Sequence, residues 1–169
     1  DPRFAFVIPV YGGAIIRQHE MTPDQYRDYL AKWDPIAHLP YAKMPMLWVS
    51  SFSENVFPLD RFSKGAEAAA GSILCIRPFL VHGHGFGWEE VWEIGGFANG
   101  VIKGTAPMPR IARPQVDPKD GLVHAKFMGD FKGAVVSYTT AGGEWKNQGL
   151  PSIPCTMGKG EMVASKPLP

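Results

Sequence analysis

Met44-Pro45-Met46-Leu47-Trp48-Val49-Ser50 and Ser72-Ile73-Leu74-Cys75-Ile76-Arg77-Pro78-Phe79-Leu80-Val81 are the two apolar runs from which the fold is read. Each is an apolar, strand-like run, and the helix-like segment between them implies that they run parallel. Glu54 follows the first run, and His82-Gly83-His84 follows the second. Parallel strands bring the residues beyond their carboxyl ends to one edge of the sheet, where α/β folds hold their reactive groups. A carboxylate and a histidine meeting there are the acid and base of a nucleophile–His–acid triad. The third member is missing, because no Gly-x-Ser-x-Gly elbow occurs in the chain.

A third apolar run, Phe4-Ala5-Phe6-Val7-Ile8-Pro9-Val10, opens the chain directly after Asp1-Pro2-Arg3. It reads as another parallel strand, giving strands at about 4–10, 45–51 and 73–80 side by side. A buried strand at the very start, with no initiator Met, leads to the expectation that the chain is part of a longer enzyme. The ending at Lys166-Pro167-Leu168-Pro169 points the same way.

The helices have their own signals. Thr22-Pro23-Asp24-Gln25 combines an N-cap Thr, Pro at the first helical position and Gln three residues after the cap, and Tyr26, Tyr29, Leu30 and Trp33 follow at helical spacing before Asp34-Pro35. A second helix is expected from Asp60, read as its cap, to Ala70, closed by Gly71. A short third one is expected over Trp88 to Ile94. Residues 14–21 read as an inserted loop. Beyond the linker-like Lys103-Gly104-Thr105-Ala106-Pro107-Met108-Pro109 no helix signal occurs. Residues 122–127, 134–139 and 162–164 read as strands, with Ala141-Gly142-Gly143-Glu144 as a hairpin turn. The expected organisation is therefore residues 1–102 as part of an α/β domain with a parallel sheet, and 103–169 as a small, incomplete β-sandwich-like module.

Composition narrows the function classes. The 169 residues carry a net charge of +1 with no long basic run, so nothing marks a nucleic-acid partner. Hydrophobic content of 45% with 20% charged residues is that of a globular protein, and no apolar stretch approaches a membrane span. Compartment is left open; secretion or a periplasmic location would follow if a signal peptide lay upstream. Cys75 sits in a strand run and Cys155 in a Pro-rich segment, and no disulfide between them is expected.

Most of residues 1–95, and more loosely the β-rich remainder, resemble the carboxyl-terminal part of bacterial α/β-hydrolases of the acetyl xylan esterase, dienelactone hydrolase and prolyl oligopeptidase-like group, which implies that residues 1–102 are the C-terminal half of an α/β-hydrolase parallel sheet. The resemblance is carried by Asp1-Pro2-Arg3-Phe4, Pro9-Val10-Tyr11-Gly12, Trp33-Asp34-Pro35, Met44-Pro45-Met46-Leu47-Trp48-Val49, Phe57-Pro58-Leu59-Asp60 and His82-Gly83-His84-Gly85-Phe86-Gly87-Trp88. It implies a serine nucleophile upstream of Asp1 and a triad acid at Glu54, where relatives more often carry Asp. The Gly-His-Gly context favours His84 as base, with His82 shaping the loop, and the reverse assignment stays open. The implied activity is serine-type hydrolysis of an ester or amide, a carbohydrate acetyl ester being favoured, with no cofactor. Tyr11, Gly12 and Trp88 are the substrate-pocket candidates.

Competing readings are bland by comparison. His82, His84 and Glu54 would make a metal site only if a further ligand completed the set. Cys75 and His124 read as core and as a half-exposed strand position, and the tryptophans as packing before sugar stacking. A different class of function is a non-catalytic, hydrolase-like scaffold whose β-rich part binds a partner. Oligomeric state is not legible.

Overall fold

The computed structural model describes residues 3–12, 21–54, 56–105, 108–140 and 150–169. The chain divides into two compact units, residues 1–106 and 107–169.

The first unit contains α1 (Pro23–Lys32), β1 (Leu47–Ser51), α2 (Leu59–Ala68), β2 (Ile73–Arg77) and α3 (Trp92–Lys103), with short 3-10 turns at 35–37, 39–41 and 88–90. The capping box of α1 forms as its sequence implies: the Gln25 amide donates to Thr22 Oγ1 at 3.3 Å, and the Thr22 amide donates to Gln25 Oε1 at 3.0 Å. β1 and β2 run parallel with Leu47 opposite Ile73 and Ser51 opposite Arg77, and α2 is the connection between them. All five residues of β1 are buried. Its core face packs on α2, where Phe62 meets Trp48 edge-on at 5.3 Å, with Leu39, Met46, Ala66 and Ala69 completing the cluster.

The expected C-terminal half of an α/β-hydrolase parallel sheet is not what the chain builds. Among the described residues the parallel β structure is a small pair, β1 and β2, flanked by two isolated parallel bridges, Val7 to Met46 and Val10 to Val49. Pro9 lies between these bridges and has no N–H, so the ladder that would make residues 4–10 a third strand is interrupted. β2 is half-exposed, with Leu74 48% accessible, unlike the strands of a sheet covered on both faces.

The main sheet of the protein is antiparallel and lies in the second unit. It comprises β3 (Arg110–Ile111), β4 (Gln115–Val116), β5 (Val123–Met128), β6 (Val135–Ser137), β7 (Ser152–Gly158) and β8 (Glu161–Ala164). The strand order is β3-β5-β8-β7-β6, with β4 also on β5, and the sheet curls into a half-barrel. A single curled sheet thus replaces the expected sandwich-like module. Val123, Ile153 and Ala164 form its core, with Val136 and Tyr138 packed against them. The β7–β8 hairpin turns at Lys159-Gly160, both at positive φ (40° and 82°), the geometry that matches strand twist in a two-residue loop.

Other differences are local. α2 has Pro58 at its N-cap, and Asp60 sits in the first turn without capping it. α3 begins at Trp92 and runs to Lys103, ending on Gly104 in the left-handed conformation. Its Gly95-Gly96 pair weakens the helical signal beyond Ile94, and tertiary contacts such as Phe6 against Phe97, edge-on at 5.8 Å, supply what propensity does not. The expected turn at 141–144 and nearly all of the 14–21 loop lie outside the described residues.

His124 on β5 is bonded by carboxylates at both ring nitrogens: Nε2 lies 3.0 Å from Asp120 and Nδ1 3.3 Å from Glu161 of β8. Both nitrogens can donate only as imidazolium, and the Asp120 bond raises the His124 pKa above its ordinary 6.5. Asp120 is held below its ordinary 3.8, first by the Leu122 amide and then by His124.

Two outcomes follow. Phe62→Ala should cost about 3–5 kcal/mol in denaturant unfolding, since the ring is fully buried. The clamp at His124 stabilises below the unfolded histidine pKa and is lost as pH rises through the raised folded value; Asp120's share is lost as pH falls through its lowered value. Melting of the wild type against pH should therefore be highest between the two, and His124→Gln should remove the alkaline-side decline. Persistence of that decline in the variant would assign it elsewhere.

Candidate acid–histidine site

The site lies beyond the carboxyl ends of β1 and β2, which the parallel register brings level. The two exits are tied together: the Phe52 amide donates to the Arg77 carbonyl at 3.1 Å, and the Leu80 carbonyl accepts from Ser51 Oγ at 3.3 Å and from Ser53 Oγ at 3.4 Å. The Leu80 amide in turn donates to Ser53 Oγ. These bonds bring the loop after β2 close to Glu54, three residues past β1.

Glu54 has no solvent-accessible side-chain surface. Its Oε1 accepts from the Val56 amide at 2.6 Å and the Phe57 amide at 3.1 Å, and its Oε2 lies 2.7 Å from Nδ1 of His82. The carboxylate only accepts, so Nδ1 carries the proton and Nε2 is the basic nitrogen. The His82 side chain keeps 35% of its surface open, enough to reach a substrate. Tyr11 stacks on the imidazole at 4.5 Å and 27°, and Phe57 lies near-parallel to it at 6.0 Å.

The histidine held by Glu54 is therefore His82. His84 pairs elsewhere, with Nδ1 3.1 Å from Glu89. Trp88 Nε1 also comes within 3.3 Å of that nitrogen, but one nitrogen cannot both donate to Glu89 and accept from Trp88. The charge-assisted bond to the carboxylate is the stronger, and Trp88 stands edge-on to the ring. Glu89 is held below its ordinary pKa, first by its own backbone amide and then by His84, with burial opposing. His84 itself is largely in solvent.

An open cleft of about 550 Å³ is lined by Val10, Tyr11, His82, Gly83, His84 and Trp88. Of the pocket candidates, Tyr11 and Trp88 line it and Gly12 does not. Phe57, Gly87 and Glu89 are the participants that sequence reasoning did not single out. Gly87 is needed for space: a Cβ there would fall 2.2 Å from the Gly83 carbonyl oxygen and 2.7 Å from both Tyr11 Oη and the Val81 carbonyl oxygen.

Among the described residues no three His, Cys, Asp or Glu side chains are grouped to hold a metal ion. Both oxygens of Glu54 are already engaged, which removes it from a ligand set with the two histidines. No serine or cysteine of the described residues hydrogen-bonds His82. Cys75 is no alternative nucleophile, because burial, with Glu93 adding, pushes its thiol up to about 11. No described helix is long and apolar enough to cross a membrane.

Comparison with known proteins adds no relative: no family model matches the chain, and no curated protein or solved structure matches it.

Gly87→Ala should displace the histidine loop, costing about 1–3 kcal/mol and breaking the Tyr11–Val81 contact. Chemical unfolding together with the NMR shifts of His82 measures both; an unperturbed His82 would contradict the packing at Gly87.

Proposed function

We propose that this protein is a serine-type ester hydrolase in which His82 is the general base and Glu54 the acid that orients it. The observation that carries this reading is the 2.7 Å contact between a fully buried, doubly amide-bonded carboxylate and Nδ1 of a histidine that lines an open cleft. A carboxylate so placed fixes the tautomer and stabilises the imidazolium that forms when Nε2 takes a proton. His82 is the side chain that meets this buried carboxylate, and the two backbone amides offset the rest of its lost hydration.

The serine comes from outside these residues. Its Oγ attacks the ester carbonyl carbon as its proton passes to His82 Nε2. Collapse of the tetrahedral adduct breaks the bond to the leaving alcohol, which takes that proton. Water, activated by the same nitrogen, then releases the acid and regenerates the serine. A small carbohydrate acetyl ester is the favoured substrate from the sequence resemblance, with Trp88 and Val10 as the apolar wall of the cleft. The 169 residues alone are inactive on this reading.

The test is turnover of a small aryl acetate by the protein expressed from its native reading frame. His82→Ala should lower kcat by about 10³-fold or more, and Glu54→Gln by less, while His84→Ala should change it by no more than about tenfold. A fluorophosphonate should label a serine beyond these residues. Wild-type activity in His82→Ala would overturn the assignment, and absence of both hydrolysis and labelling would favour the non-catalytic scaffold.

A further inference from the structure

Tyr11 is the described residue whose conformation is least expected from its type. It occupies the left-handed region at φ 59°, where a bulky side chain is an outlier. Such strain persists only where the surroundings over-determine it, and it concentrates at functional sites. Several contacts hold the residue, the Gly83 and Trp88 backbone at its hydroxyl among them. Its amide donates to the Val49 carbonyl of β1 at 2.9 Å, its hydroxyl donates to the Val81 carbonyl immediately before His82, and its ring stacks on the His82 imidazole.

We infer that Tyr11 is a positioning residue for His82: it anchors the histidine loop to β1 and sets the plane of the imidazole. The inference rests on the reading of His82 as base, and it revises the role of Tyr11 from a substrate contact. The phenol is buried and its hydroxyl is spent on Val81, so it has no donor to offer a substrate. Burial, the largest influence on the hydroxyl, raises its pKa and keeps it a donor. The stacked ring also limits rotation of the imidazole, which holds Nε2 in one direction.

Three variants separate these contributions. Tyr11→Phe removes the hydroxyl and keeps the ring. Tyr11→Leu removes both. Tyr11→Asn removes the ring with a residue that tolerates positive φ, so that loss of folding in the leucine variant does not end the test. The Nδ1 proton resonance of His82, which reports its bond to Glu54, is the first readout: it should broaden or be lost to exchange with water in Tyr11→Leu and Tyr11→Asn, and persist in Tyr11→Phe. Steady-state kinetics of the full-length protein is the second: kcat should fall about tenfold or more in the two ring-removing variants, with KM changed less than about twofold.

An unchanged His82 Nδ1 proton resonance in both ring-removing variants overturns the inference. So does a raised KM with unchanged kcat, which would return Tyr11 to substrate binding. If His82→Ala keeps full activity, the base assignment fails by itself, and the Nδ1 proton resonance of His82 still decides whether Tyr11 controls the imidazole.

Discussion

A carboxylate removed from water is tolerated only where donors replace the lost hydration, and the first unit is organised around that constraint at Glu54. Two backbone amides and one imidazole meet the requirement. Each donor depends on a different part of the chain. The Val56 and Phe57 amides come from the loop that carries the carboxylate itself, whereas the imidazole must be delivered from beyond β2. The parallel register of β1 and β2, with the serine bonds to Leu80, delivers it.

Around this ion the rest of the unit serves as support. α2 covers the buried strand with Phe62 against Trp48, and the Arg77–Glu93 pair at 2.7 Å joins the end of β2 to α3. Gly87 lets three backbone and side-chain oxygens pass closer than any side chain would permit. The second unit answers a comparable demand differently, because its carboxylate-bonded histidine is on a partly exposed strand pair and crosses from β5 to β8 and to the preceding turn. There the charges tie strands together; at Glu54 the carboxylate engages Nδ1 of His82 alone.

Much of the local structure was legible in the residues. The capping box at Thr22 and Gln25, the strands at 47–51, 73–77 and 123–128, and the run of β structure after residue 109 follow from patterns with a period of a few residues. The β7 strand was hidden by its Pro-rich composition, although Pro154 is accommodated between β8 and β6 because the β7–β8 pairing begins only at Cys155. The extent of α3 was hidden by Gly95-Gly96. The parallel sheet was over-read, since an apolar run shows that a segment is buried but not how many neighbours it has, and a single Pro9 decides whether the opening segment continues the ladder.

From the sequence alone came the placement of Glu54 and of two histidines beyond successive parallel strands, and so the chemistry that could meet there. Only the tertiary structure decided which histidine meets the carboxylate. His82 and His84 are two residues apart on a glycine-rich turn, and their local contexts do not separate them. Position relative to Glu54 depends on the Leu80 anchor, on the space at Gly87 and on the left-handed backbone of Tyr11, contacts made by residues distant in sequence. Periodicity reports short-range order, whereas a single hydrogen bond across 28 positions is the product of everything packed between them.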